Sequence, residues 1–255
     1  MDAFITKFDP ECTELIYSTY FGGSGYDAAN MCIVADDNTC YVGGFAGSSD
    51  LPTTSMGGIL QATYGGGTYD GFVVRINANA TAIIRCTYIG GTGNDTQQGL
   101  ALDSDGYVYT CGWTDNATFP VTENAFQTTY GGVKDGTLCK LTPDMSAFVY
   151  STFIGGADDD QMRYMVIDTS NYAYLVGSTK SADYPVTDGA FQTTYGGSAN
   201  NDGIVTKFDS SGLFLTFSTY IGGPTAENTR FVALNSNNEI FTIGSTSWAE
   251  FPVTP

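Results

Sequence analysis

Four copies of one sequence pattern run the length of this chain, and the strictness of their spacing constrains its fold more than any other feature. Asp2, Asp70, Asp135 and Asp202 each open a β-like run (DAFITKF, DGFVVRI, DGTLCKL and DGIVTKF). The glycine pairs Gly22-Gly23, Gly90-Gly91, Gly155-Gly156 and Gly222-Gly223 follow at one fixed offset, and both series step by 68, 65 and 67 residues. A fixed period with strand-rich units marks a repeat architecture, in which each unit buries its apolar face against the next. It also assigns most recurring motifs to scaffold before any chemistry is invoked.

Each unit holds four predicted strands, in the second copy at 97–103, 107–113, 135–141 and 148–154. Asp103-Ser104-Asp105-Gly106 joins the first pair, and the equivalent corners at 36–39, 168–171 and 235–238 are equally rich in Asp and Asn, whose side chains bond nearby amides. A loop of about twenty residues separates the second strand from the third. It reads Phe119-Pro120-Val121-Thr122 and then AFQTTYGG at 125–132, recurs nearly verbatim from Tyr184 to Gly197, and is looser from Leu51 to Gly66. Because its apolar residues recur by copy, it is expected to fold over the blade as packing. No window shows a helical apolar period free of Gly or Pro, and no apolar stretch is long enough to span a bilayer.

Four-stranded units repeated about an axis make a β-propeller. The chain opens on a third and a fourth strand (2–8 and 15–21) and closes on a first and a second (229–235 and 239–245). The expectation is therefore an all-β propeller of four four-stranded blades, one of them shared between the two terminal segments. The whole of 1–255 is read as one domain, and the alternative is an open piece of a larger ring. The combination of a VALD-like strand, a YxxG strand, FPVT, AFQTTYGG, DGFVxK and YSTYIGG resembles the SBBP-type β-propeller repeat family across essentially the whole sequence. That resemblance implies the propeller fold and a secreted or cell-surface setting in bacteria and archaea, and it brings no catalytic residues with it. The chain departs from the seven blades of the family's name in having four units, and no AFQTTYGG segment follows Phe251-Pro252-Val253-Thr254. Met1 directly abuts a repeat, which suggests a mature or excised segment.

With 27 acidic and 9 basic residues the formal charge is -18, a field that repels nucleic acid and anionic membranes. There is no histidine and no CxxC among the six cysteines, which excludes a Cys/His zinc site and any Ser-His-Asp or Cys-His nucleophile. Cys32 and Cys40 stand where other copies carry Leu, Met, Val, Ala or Ile, so they are expected as small core residues. Cys111 and Cys139 fall on adjacent predicted strands, where a disulfide is the alternative.

One carboxylate recurs after every glycine pair, as Asp27, Asp95, Asp160 and Glu227. In a closed ring these acids would gather near the axis, and with the run Asp158-Asp159-Asp160 they form the candidate calcium site; the competing reading has each acid bonding amides of its own loop. A basic residue recurs at Lys7, Arg75, Lys140 and Lys207, expected in structural ion pairs with acids of the same or the next blade. Asn30, Gln98, Arg163 and Arg230 share one polar position where the innermost strand begins. With Trp113 and Trp248, which break the repeat consensus, they are the candidate ligand or partner surface. Catalysis needs one unique site, whereas nearly every carboxylate here is one of four equivalents. The expected function is a non-catalytic extracellular or cell-surface module with no required cofactor. It would serve structure, adhesion or the binding of a protein, a glycan or copies of itself, as a homo-oligomer or filament. A lyase or hydrolase using a carboxylate cluster on the channel face is the alternative.

Overall fold

The structure, a computed structural model, describes residues 1–53, 58–197 and 200–254; part of the first long loop lies outside them. All regular structure among these residues is β, in sixteen antiparallel strands. Three blades are complete. The first comprises β3 (Asp27–Val34), β4 (Cys40–Ala46), β5 (Asp70–Ile76) and β6 (Ile83–Ile89). The second runs through β7 (Asp95–Leu102), β8 (Val108–Thr114), β9 (Asp135–Leu141) and β10 (Phe148–Ile154). The third runs through β11 (Asp160–Ile167), β12 (Ala173–Thr179), β13 (Asp202–Phe208) and β14 (Leu215–Ile221). The ends form two separate two-stranded sheets, β1 (Ala3–Phe8) with β2 (Leu15–Phe21) and β15 (Glu227–Leu234) with β16 (Ile240–Thr246).

Each strand-to-strand corner follows from its sequence. Asn38, Gly106, Asn171 and Asn238 occupy one position of the first hairpin turn, with φ of 63, 82, 64 and 59°. Asn and Gly are the residues that enter this left-handed region at least cost. The register is the same in every complete blade. Cys40 opposes Ile76, Val108 opposes Leu141 and Ala173 opposes Phe208.

Blades stack through apolar side chains that alternate along the strands. Phe72 on β5 is fully buried with its ring 5.0 Å from that of Phe21 on β2, and Val232 on β15 lies in one cluster with Val176 and Val205. Each half-blade is therefore held by burial against its neighbour, β1–β2 on the first complete blade and β15–β16 on the third. The innermost strands β3, β7, β11 and β15 lie beside one another in sequence order around the axis. The two halves of the shared blade do not pair with each other. The architecture is a propeller in the open form, an arc of three whole blades and two halves.

The Phe21–Phe72 contact is the seam between the first half-blade and the rest. Phe72→Ala is expected to lower unfolding stability by about 3–5 kcal/mol in chemical denaturation, the usual range for emptying an aromatic core site. A loss below about 1 kcal/mol would show that this seam does not hold the half-blade in place.

Candidate functional site

The recurring acid at the head of each inner strand is committed to its own loop. Asp27, Asp95, Asp160 and Glu227 are all buried, and each accepts the amide of the second glycine of its pair at 2.7–2.9 Å. A small polar residue closes the other side: the Ser48 hydroxyl donates to Asp27 at 2.6 Å, the Asn116 amide to Asp95 at 3.1 Å and the Ser181 hydroxyl to Asp160 at 2.8 Å. In the fourth copy Trp248 stands in that place, its ring lying over Gly223. There the longer Glu227 instead accepts from Thr225 and Thr246, each at 2.8 Å. The longer acid and the tryptophan thus occur together in the fourth copy.

Of the two readings of these acids, the bonding of each within its own loop is the one seen. They sit one per blade boundary, and among the described residues no group of three or more acid or cysteine side chains is placed to hold a metal ion. In the run at 158–160 two of the three carboxylates are engaged, and Asp158 is exposed. Asp159 pairs with Lys134 at 3.6 Å and accepts from Gln161, and Asp160 is buried.

A second acid, the one that opens every repeat, has no role assigned by the sequence pattern; it is buried at three boundaries and exposed at the first, as Asp2. Asp70, Asp135 and Asp202 are fully buried, and each takes a glycine amide of the long loop, from Gly65, Gly131 and Gly196. Across the glycine pair this acid faces the first one: a Cβ built at Gly90 would lie 2.7 Å from Asp95 Oδ2 and 2.8 Å from Asp70 Cγ. Oδ1 of Asp70 and of Asp135 have no hydrogen-bond partner. Burial, with a smaller contribution from the facing carboxylate, pushes the Asp70 carboxyl up to about 7. Burial likewise raises Asp95, Asp135 and Asp160 to about 6. For Glu227 burial acts upward too, but the Gly223 amide and the two threonine hydroxyls outweigh it and the carboxyl falls below its ordinary value.

The basic ladder packs on tyrosines as much as on acids. Arg75, Lys140 and Lys207 lie directly across from Tyr41, Tyr109 and Tyr174 on the second strand of the same blade, with the cation 4.6–5.0 Å from each ring centre. Arg75 also pairs with Asp37 at 2.6 Å and Lys140 with Asp103 at 3.2 Å, so the acid comes from the same blade in both. Lys207 lies over Tyr172 and Tyr174, and the Tyr174 hydroxyl donates to Asp168. Lys7, in the half-blade, is on β1, whose outer neighbour β2 is its one strand partner.

Asn30, Gln98, Arg163 and Arg230 prove to be the β-bulge residues of the four inner strands, each skipped between two paired neighbours. A bulge turns an extra side chain out of the ladder, and here it does so on the innermost strand of each blade. Asn30 reaches the next blade, donating to the Gln97 carbonyl at 3.0 Å. Arg163 and Arg230 lie near enough to repel: burial first and Arg230 second hold the Arg163 guanidinium below its usual value. Trp113 is half-buried, with Lys134 over its ring at 4.6 Å and Tyr69 edge-on. Cys111 and Cys139 are not bridged. Cys139 opposes Thr110, one residue before Cys111, so the two thiols point to opposite faces of the sheet and all six cysteines are free. Cys40 is buried as expected, its thiol directed at the Tyr41 carbonyl, whereas Cys32 is exposed and not a core residue, because β3 flanks the half-blade that lacks its inner strands.

The long loop is packing. In the second copy Thr122 and Gln127 exchange backbone bonds with Ser151 and Phe153, and Phe119 and Tyr130 cover the Phe153 ring. With strand order, glycine pairs and loop all in place, the repeat is recognisable. Residues 85–120 match the SBBP family, described as a beta-propeller repeat. No curated protein matches the sequence. Among solved structures it is similar to XC5397 of Xanthomonas campestris, described as a gluconolactonase (14% identity, 94% of this chain and 61% of that one, TM-score 0.44). It is also similar to the Dos1 propeller (9% identity, 94% and 59%, TM-score 0.40) and to a Lactobacillus plantarum protein (13% identity, 68% and 41%, TM-score 0.37). The chain spans 41–61% of the length of these structures, and at such identities the likeness is one of fold.

The paired acids make a pH dependence of definite sign. Their folded values near 6–7 lie above the roughly 4 of an unfolded aspartate, so between these limits the native state binds more protons. The stability contributed by these groups is then greatest at and below about pH 4, declines as pH rises toward 6–7 and levels off above. Asp70→Asn keeps an acceptor for Gly65 and removes the charge. It should raise the melting temperature at pH 8 by about 2–4 °C for each kcal/mol of buried-charge cost relieved, and by less than half as much at pH 5. A wild-type melting temperature that is flat from pH 5 to 8 would disprove the assignment.

Proposed function

We propose that the chain is a non-catalytic β-propeller module of the cell surface that recognises a protein or glycan partner on the axis side of its arc. One observation carries this reading. The scaffold positions repeat from copy to copy, while the four bulged residues at the inner strands differ, as Asn30, Gln98, Arg163 and Arg230. Recognition requires unlike groups at neighbouring points, and a repeat can supply them only where it departs from itself. The two arginines add a preference. In a molecule of charge -18 they form a local cationic pair, partly desolvated, suited to a carboxylate or sulfate on a glycan or an acidic side chain of a protein.

Support against catalysis comes from the carboxyl groups themselves. Those with raised pKa values are buried at blade boundaries and recur at each one, so none is a unique group facing a substrate. The extracellular setting rests on the resemblance drawn from the sequence. Calcium has no part in this reading, because Asp159 and Asp160 are already engaged by protein groups. The same scaffold would also join copies of itself into an oligomer or filament.

The test is calorimetric titration with acidic oligosaccharides and their neutral counterparts. Binding of an acidic member is expected, weakened at least tenfold, about 1.4 kcal/mol, in the Arg163→Ala, Arg230→Ala double variant. Equal binding by wild type and variant would remove the arginines from the site. Release of a cleaved product would overturn the non-catalytic reading.

A further inference from the structure

The two half-blades are unfinished in complementary ways. β15–β16 supplies the inner pair of a blade, and β1–β2 supplies the outer pair. Of the seventeen large apolar side chains exposed among the described residues, nine lie on these four strands, among them Phe4, Tyr20, Phe241 and Ile243. In the complete blades the equivalent positions are largely covered. We propose that the free edge of β16 takes β1 of a second copy of this chain, so that the shared blade is completed between molecules. This rests on the reading of the chain as a repeat scaffold and names its partner.

The three complete blades fix the register. Since Gly44 opposes Phe72, Gly112 opposes Thr137 and Gly177 opposes Ile204, Gly244 of one copy opposes Phe4 of the next, with Ile240 against Phe8 and Thr246 against Asp2. Phe4 is 71% exposed, whereas Phe72 at the same position is fully buried against Phe21 of the preceding blade. The residue equivalent to Phe21 on β14 is Ile221. It lines an apolar groove of about 330 Å³ along the free edge of β16, together with Thr229, Thr242, Gly244, Phe251 and Pro252. The groove is thus the seat that the repeat provides for Phe4.

Three further contacts follow from the same equivalence. Lys7 would lie across from Phe241, as Lys140 lies across from Tyr109, and beside Glu239, which gives the seam charge complementarity. Tyr20, 81% exposed, would meet Phe251, as Tyr220 meets Tyr184 with ring centres 6.1 Å apart. Ile243, 65% exposed, would cover Cys32, as Val176 packs with Val232. An arc contributes three whole and two half blades, so two copies joined at both ends give eight, within the range of known propellers. If the angular step does not close the ring, the same head-to-tail seam builds a filament.

The seam can be trapped through a native thiol. In the first complete blade a Cβ built at Gly43, the position of Ile243, is 3.2 Å from Cγ of Leu100, the position of Cys32. That Cγ is the atom a cysteine sulfur replaces, so the spacing suits a disulfide. Ile243→Cys, made in a Cys12→Ser background and oxidised, is expected to give species of two or more chains on a non-reducing gel. These should revert to single chains on reduction and be absent when Cys32→Ser is added. Sedimentation of the wild-type 255-residue chain should show association, weakened at least about tenfold by Phe4→Asp with the fold retained, since Phe4 is a surface residue in one copy. A wild-type chain that sediments as a monomer at all attainable concentrations overturns the proposal. So does a disulfide formed within a single chain, which would mean that the blade closes intramolecularly. Neither result touches the arginine site, whose glycan titration is read independently of assembly.

Discussion

Everything in the arc depends on how the chain crosses from the outer edge of one blade to the inner edge of the next. At each crossing the glycine pair brings backbone amides into a buried place, and buried amides must find acceptors. The acid heading the next inner strand supplies one, at 2.7–2.9 Å in all four copies. Glycine is required there for a steric reason: at Gly90 and Gly155 the space a Cβ would fill is already taken by the carboxylates on either side. The fixed spacing of the glycine pairs and the recurrence of the acids are therefore two sides of one constraint. They also explain why so many carboxylates in this chain are bound to backbone amides.

The same constraint has an electrostatic consequence. Facing acids at Asp70/Asp95 and Asp135/Asp160 are held in a dry boundary, where a proton relieves both desolvation and mutual repulsion. Acids on exposed turns behave oppositely: the Thr39 hydroxyl and amide hold Asp37 below the ordinary carboxylate range, and Thr142 and Ser146 do so for Asp144. The formal charge of -18 is thus carried on the surface, where it favours solubility, more than in the blade boundaries.

Much of this architecture is legible in the sequence because repetition multiplies weak signals. One Asp-Ser-Asp-Gly corner says little, but four equivalent corners with Asn or Gly at one left-handed position identify the hairpin. The strands of the second copy are expected at 97–103, 107–113, 135–141 and 148–154, and they fall within two residues of those limits. What repetition does not reveal is depth and direction. Asp70 and its equivalents read as strand openers because nothing in a sequence marks which side of a strand start is dry. Cys111 and Cys139 are correctly placed on neighbouring strands, yet a one-residue stagger sets them on opposite faces. The shared polar position at Asn30, Gln98, Arg163 and Arg230 is visible, but its origin in a bulge is not, since a bulge alters pairing without altering the pattern of residue types.

The open ends are where pattern and energetics meet. A sheet edge with unpaired amides and carbonyls beside exposed Phe and Ile is a liability that folded proteins cover or blunt. β16 is not blunted: apart from the charge of Glu239 just before it, the strand is Ile, Phe, Thr, Ile, Gly, Ser and Thr, with no proline, lysine or bulge on the free side. β1 is likewise apolar at alternate positions, with Lys7 as its single charge. Had these been true surface strands, the repeat would be expected to diverge there toward polar residues, as it does at the inner-strand bulges. It keeps instead the apolar types that the complete blades bury. That retention fits edges that are normally paired, and it makes the sequence of the ends intelligible as the two sides of one interior.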